Sequence, residues 1–143
     1  MAAKEDFQKL LDGALPFAKR MLLEEGEFIP FGASLTSNAA ATLVAGDVGK
    51  EHPKSDEVVK LLTSTFATEA ANQKIVAAAI CFMASTTTSD GAKQEVAVFR
   101  MSHVSGETID IFLPYSFGKS SRAIFKEIFA TKGSSNFLTR HLQ

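Results

Sequence analysis

Three apolar stretches in the second half of the chain constrain its fold more than any other feature. They cover Lys74–Thr87, Gln94–Val104 and Glu107–Tyr115, with Asp90-Gly91 and Ser105-Gly106 between them. These dipeptides are hairpin signals, so the stretches read as three consecutive antiparallel strands. The longest apolar run, Ile75 to Ala84, falls short of the roughly 18 residues that a membrane span needs and suits a buried strand. If both loops have two residues, Phe82 lies opposite Phe99, and Phe99 opposite Phe112, flanked by Ile80 and Met101. Met83, Val98 and Leu113 then align on the other face, beside Val96 and Tyr115. Both faces are apolar, so both need a cover. In this register Arg100 lies between Cys81 and Ile111, and Asp110 pairs with Met101, on opposite faces. Charges at such places fit the margin of a sheet, because burial without a partner is costly. Arg100 is kept as a candidate for lining a binding pocket.

The remaining elements are arranged around that meander. Phe7, Leu10, Leu11, Ala14, Leu15, Ala18, Met21 and Leu22 fall on one face of a helix from about Lys4 to Glu25. Pro16 predicts a kink within it, and Gly26 a left-handed cap. Phe28 to Leu35 reads as strand one, which Pro30 restricts to an edge or a bulge. Ser37-Asn38 marks a turn, Thr42 to Ala45 a second strand, and Gly46 to Lys54 a loop. Ser55 is a suitable N-cap for a second helix from about Asp56 to Ala71. Gly118 to Ser121 leads to a third, with Ile124, Phe125, Ile128 and Phe129 as its apolar face. Gly133-Ser134-Ser135 ends it, and Phe137-Leu138 docks a tail over 132–143. The expectation is one α+β domain over 1–143. Its order is α-β-β-α-β-β-β-α, with a five-stranded antiparallel sheet and helices on both faces.

A chain of 143 residues suits a single core, and 45% hydrophobic with 22% charged residues are ordinary globular values. A net charge of −1 gives no electrostatic footprint for nucleic acid or an anionic membrane. Cys81 is the single cysteine, so no internal disulfide forms, which fits a reducing cytoplasmic compartment. Met1 to Asp6 is charged and lacks the apolar core of a secretory signal.

Chemistry is sparse. Cys81 reads as a small buried hydrophobe rather than a nucleophile. His52, His103 and His141 show no ligand spacing, so no metal site and no cofactor are expected. Ser85 to Ser89 leads into a hairpin rather than a helix, unlike a phosphate loop. Gly46-Asp47-Val48-Gly49-Lys50 lacks the full glycine spacing and a following Ser or Thr. Glu24, Glu25 and Glu27 form the one local group of carboxylates, best read as solvated charges at a helix end. Glu27, at the corner between helix and sheet, is the strongest single polar candidate, with Phe31 beside it. No residue is assigned a catalytic role.

The element order resembles that of roadblock-type and profilin-like domains. The stretch Leu22-Leu23-Glu24-Glu25-Gly26-Glu27-Phe28-Ile29-Pro30-Phe31-Gly32 resembles the opening of a family of uncharacterised bacterial domains. There a leucine–acidic–glycine–glutamate–phenylalanine helix end is followed by Pro-Phe-Gly. That family carries no established activity, so the resemblance implies no catalytic residue. In this chain the Ala39-Ala40-Ala41 run stands where those domains have a polar hairpin. Three readings follow. The first is a non-enzymatic interaction or adaptor protein, a homodimer or the partner of another protein. The second is a small-molecule-binding or sensory domain, with a pocket between helix one and the sheet lined by Glu27 and Phe31. The third is an enzyme.

Overall fold

The computed structural model describes residues 2–37, 40–46, 49, 54–133 and 136–138. Among these, two helices sandwich one antiparallel sheet of seven strands, in the order β2-β1-β3-β4-β5-β6, with β7 also paired to β5. Helix α1 (Ala2–Glu25) is followed by β1 (Phe31–Leu35), β2 (Thr42–Ala45) and helix α2 (Ser55–Ala71). The long strands β3 (Ala77–Thr87), β4 (Lys93–His103) and β5 (Thr108–Phe117) come next, then β6 (Ala123–Phe125) and β7 (Phe129–Lys132).

The α+β class and the antiparallel sheet agree with the sequence, but the strand count and the third helix do not. The segment expected to form helix three makes β6 and β7. Its Ile124, Phe125, Ile128 and Phe129 spacing fits a helical stripe, but β5 is ten residues long and would otherwise present a bare edge. Tyr115–Phe117 pair with Phe125–Ala123, and Ile109–Phe112 with Lys132–Phe129, so one edge is closed by two short strands. Ladder bonds to that edge outweigh a weak local pattern.

Both central registers differ by one residue from a two-residue loop. Each turn has three loop residues: the Gly91 N–H bonds the Thr88 carbonyl and the Gly106 N–H the His103 carbonyl, both at 2.9 Å. Gly91 and Gly106 have φ of +87° and +103°, which the residue ending this bulged turn requires. The slip dismantles the expected phenylalanine ladder. Phe99 faces Cys81 and Ile111, whereas Phe82 faces Val98, which faces Phe112. It also sets Arg100 opposite Asp110 on one face, where opposite faces were expected.

The first face carries Phe31, Ala33, Ala77, Ala79, Cys81, Ala97, Phe99, Met101, Ile111 and Leu113. Helix α1 covers it with Leu10, Leu11, Ala14, Ala18 and Leu22. The helix continues through Pro16 and ends at Gly26, whose N–H bonds the Leu22 carbonyl at φ +78°. Small side chains on β1 and β3 let it lie close. The second face carries Ala78 and Ile80, on which α2 sets Val58, Leu62 and Phe66. Phe137 and Leu138 join that cluster, so the tail docks as expected. Ser55 is the first helical residue rather than the cap, and the Lys54 N–H bonds the Glu57 carboxylate at 3.3 Å.

Pro30 lies just before β1, which is flanked by β2 and β3. Strand one is therefore interior, and its proline stands outside the ladder instead of making it an edge. The expected turn at Asn38, the Gly46–Lys50 glycines' intervening residues, His52 and His141 lie outside the described residues.

Candidate functional site

Helix α1 covers the first face from β1 to β4, and β5 extends past it. A cleft of about 580 Å³ opens there. Its helix side is Lys4, Phe7, Gln8 and Leu11, which share one face because they are spaced three or four residues apart. Its floor is Met101, Ile109 and Ile111, and its end is formed by Gly106, Glu107, Thr108 and Lys132. Ile109 and Lys132 are cross-strand partners, so the lysine stands over the mouth near the β4–β5 turn. Strand β7 contributes Lys132 to that end of the cleft.

An inward-facing polar pair fixes the helix against the sheet at this end. His103 Nε2 and Asp6 Oδ2 are 2.9 Å apart, and both side chains are mostly buried. The Ser105 N–H donates to His103 Nδ1 at 3.1 Å. An Nδ1 that accepts leaves Nε2 as the protonated nitrogen of a neutral ring, so Nε2–H donates to Asp6. Phe7 meets the same ring edge-on at 6.1 Å. The Asn136 amide donates to the His103 carbonyl at 2.7 Å, tying the tail to the same turn. This is a latch of four chain segments (α1, the β4 end, the turn and the tail).

The three residues expected to line a site do not converge. Phe31 is core, 5% exposed, in edge-on contact with Phe17 and Phe28. Glu27 lines a separate depression of about 390 Å³ with Met21, Glu25, Phe28, Ile29, Pro30 and Ser55. That hollow sits at the C-terminal end of α1, whereas the larger cleft sits at its start. Arg100 lies on the opposite face of the sheet. Its Nε is 3.5 Å from Asp110 Oδ1, and its guanidinium lies 5.2 Å from the centre of the Phe82 ring.

Cys81 is fully buried, and desolvation pushes its thiol well above the usual range. A thiolate nucleophile is disfavoured there. Among the described residues no group of three or more His, Cys, Asp or Glu side chains is placed to hold a metal. No described helix is long and apolar enough to cross a membrane.

Sequence reasoning missed the cleft because its two walls come from opposite ends of the chain. One signal was present: Phe7 and Leu11 lie one turn apart, with Lys4 and Gln8 on the same helical face. The other wall comes from β4, β5 and their turn, and only Lys132 of it depended on recognising β7. Comparison of the chain with family models, curated proteins and solved structures finds no match.

Proposed function

We propose that this domain binds a small apolar molecule in the cleft between α1 and β5. The observation that carries the reading is the lining of that cleft. Five apolar side chains (Phe7, Leu11, Met101, Ile109 and Ile111) form its walls and floor, and the charged groups Lys4, Glu107 and Lys132 gather at one end. Sites for small ligands are concave, mostly apolar and typically about 300–1,000 Å³, with few polar groups to set orientation. The His103–Asp6 latch holds the helix wall in place, which limits the ordering that binding requires.

A neutral, polarity-sensitive naphthalene dye tests it. The expected result is saturable fluorescence enhancement at one site per chain, abolished by Ile109→Arg while the folding transition persists. Enhancement that fails to saturate, or survives Ile109→Arg, would count against the cleft.

A second reading, a protein-contact role as a homodimer, has separate support. Helix α2 rests on β1 and β3, and no described helix covers the second face over β4, β5 and β7. Phe112 and Phe129 stack there at 5.0 Å, with Phe129 47% and Ile124 54% exposed. Symmetric pairing would cover such a surface.

A further inference from the structure

The cleft is polarised. Lys4 lies in the first turn of α1, and Phe7 and Leu11 follow at one and two turns along the same face. Lys132 is opposite Ile109 on the neighbouring strand, and Ile111 is two residues further along β5. Both lysines therefore stand at the β4–β5 turn end, and the apolar floor runs away from them. Both are exposed, and neither has an acidic partner within 4 Å among the described residues. The nearby acids are engaged elsewhere. Asp6 bonds His103 at 2.9 Å, and Glu107 Oε2 accepts from the Ser105 hydroxyl at 3.0 Å, turned back into its own loop. The mouth thus holds two lysines without an ion-pair partner, whereas the two nearby carboxylates, Asp6 and Glu107, each accept a hydrogen bond from within the protein.

From this we infer that the ligand is an amphipathic anion: a carboxylate head between Lys4 and Lys132, with an unbranched alkyl tail over Phe7, Leu11, Met101, Ile109 and Ile111. The inference rests on the cleft being a ligand site and adds the chemical class. Length follows from geometry. Residues 4 to 11 of a helix span about 10 Å. An extended chain advances about 1.2 Å per bond, so the tail has about eight bonds. The helix start adds a favourable partial charge at the same end, within a turn of Lys4.

Titration calorimetry with sodium octanoate, sodium butanoate and 1-octanol tests the assignment. Octanoate is expected to bind at least tenfold more tightly than 1-octanol. Each added methylene from butanoate to octanoate should raise affinity about fourfold, from roughly 0.8 kcal/mol of transfer free energy. The double substitution Lys4→Gln/Lys132→Gln alters exposed side chains and should leave the melting temperature near wild type. It should bring octanoate within about twofold of octanol. Equal binding of octanoate and octanol to the wild type would overturn the anionic head while leaving the apolar cleft standing. A carboxylate preference that survives the double substitution would also overturn it. Binding of neither compound would overturn both readings.

Discussion

At the scale of single residues, two positions expose how tightly this sequence is written. A Cβ added at Gly32 would come within 2.6 Å of Phe66 Cζ, so α2 approaches β1 only because that position is glycine. Gly32→Ala is expected to destabilise by about 1–3 kcal/mol through overpacking. The penalty should shrink in a Phe66→Leu background, and a double-mutant cycle by urea denaturation reads the coupling. A purely backbone effect would leave it unchanged. Asp90 makes a different case. Its carboxylate accepts from the Thr88 hydroxyl and the Ala92 N–H, and these bonds hold it below its ordinary value of 3.8. A carboxylate lowered on folding stabilises above its unfolded pKa and loses that contribution as pH falls through the folded value. The melting-temperature advantage of wild type over Asp90→Asn should be constant above about pH 5 and shrink below about pH 4. A pH-independent gap would show that the turn does not depend on the charge.

At the scale of elements, the same turn is used three times in succession. The loops after β3, β4 and β5 each have three residues and end in a left-handed residue: Gly91, Gly106 and Ser121. Serine at φ +62° is strained by about 1 kcal/mol, whereas glycine is not. Ser121→Gly should therefore stabilise by up to about 0.6 kcal/mol, once the greater freedom of unfolded glycine is subtracted. Calorimetry showing no gain, or a loss, would mean that the loop relaxes on its own. These turns also explain where the sequence misled. Asp90-Gly91 and Ser105-Gly106 were legible as hairpin turns, but a glycine after a polar residue suits two-residue and three-residue loops alike. One residue of loop length decides which face every side chain occupies. The pairing of Arg100 with Asp110 was hidden by that ambiguity alone. The β6–β7 segment was misread for another reason: four apolar residues set a period, but only the free edge of β5 decides between helix and strand.

At the scale of the whole molecule, the sheet is covered unequally. Helix α1 lies over the first face, and α2 serves only the β1–β3 side of the second. The expectation that both faces are apolar was sound, since Val96 and Val98 are buried beside the open region. Its consequence is that Ile124 and Phe129 remain exposed. Light scattering at increasing concentration is expected to show a dimer that Ile124→Asp/Phe129→Asp returns to a monomer. A wild-type monomer throughout would remove the homodimer reading and leave the cleft untouched. The cleft itself was foreseeable only in outline. A pocket between the first helix and the sheet was expected, but at Glu27 and Phe31, the far end of α1. Sequence spacing put Phe7 and Leu11 on the apolar face of the helix but not at a cleft, because seating that face against β4 and β5 is long-range pairing that no local pattern carries.

The latch between Asp6 and His103 also has a temporal side. It joins residues almost a hundred positions apart, and the apolar stripe of α1 packs not only on the adjacent β1 but on β3 and β4, which are translated much later. At about 5–20 residues per second, the ribosome delivers β4 roughly 5–20 s after α1. During that interval Leu10, Leu11, Ala14, Ala18 and Leu22 have only β1 and β2 to bury against. The meander β3–β4–β5 closes through short loops and can form as soon as it emerges. Helix α1 is thus made well before its full seat exists, and its apolar stripe is completed only when β4 arrives.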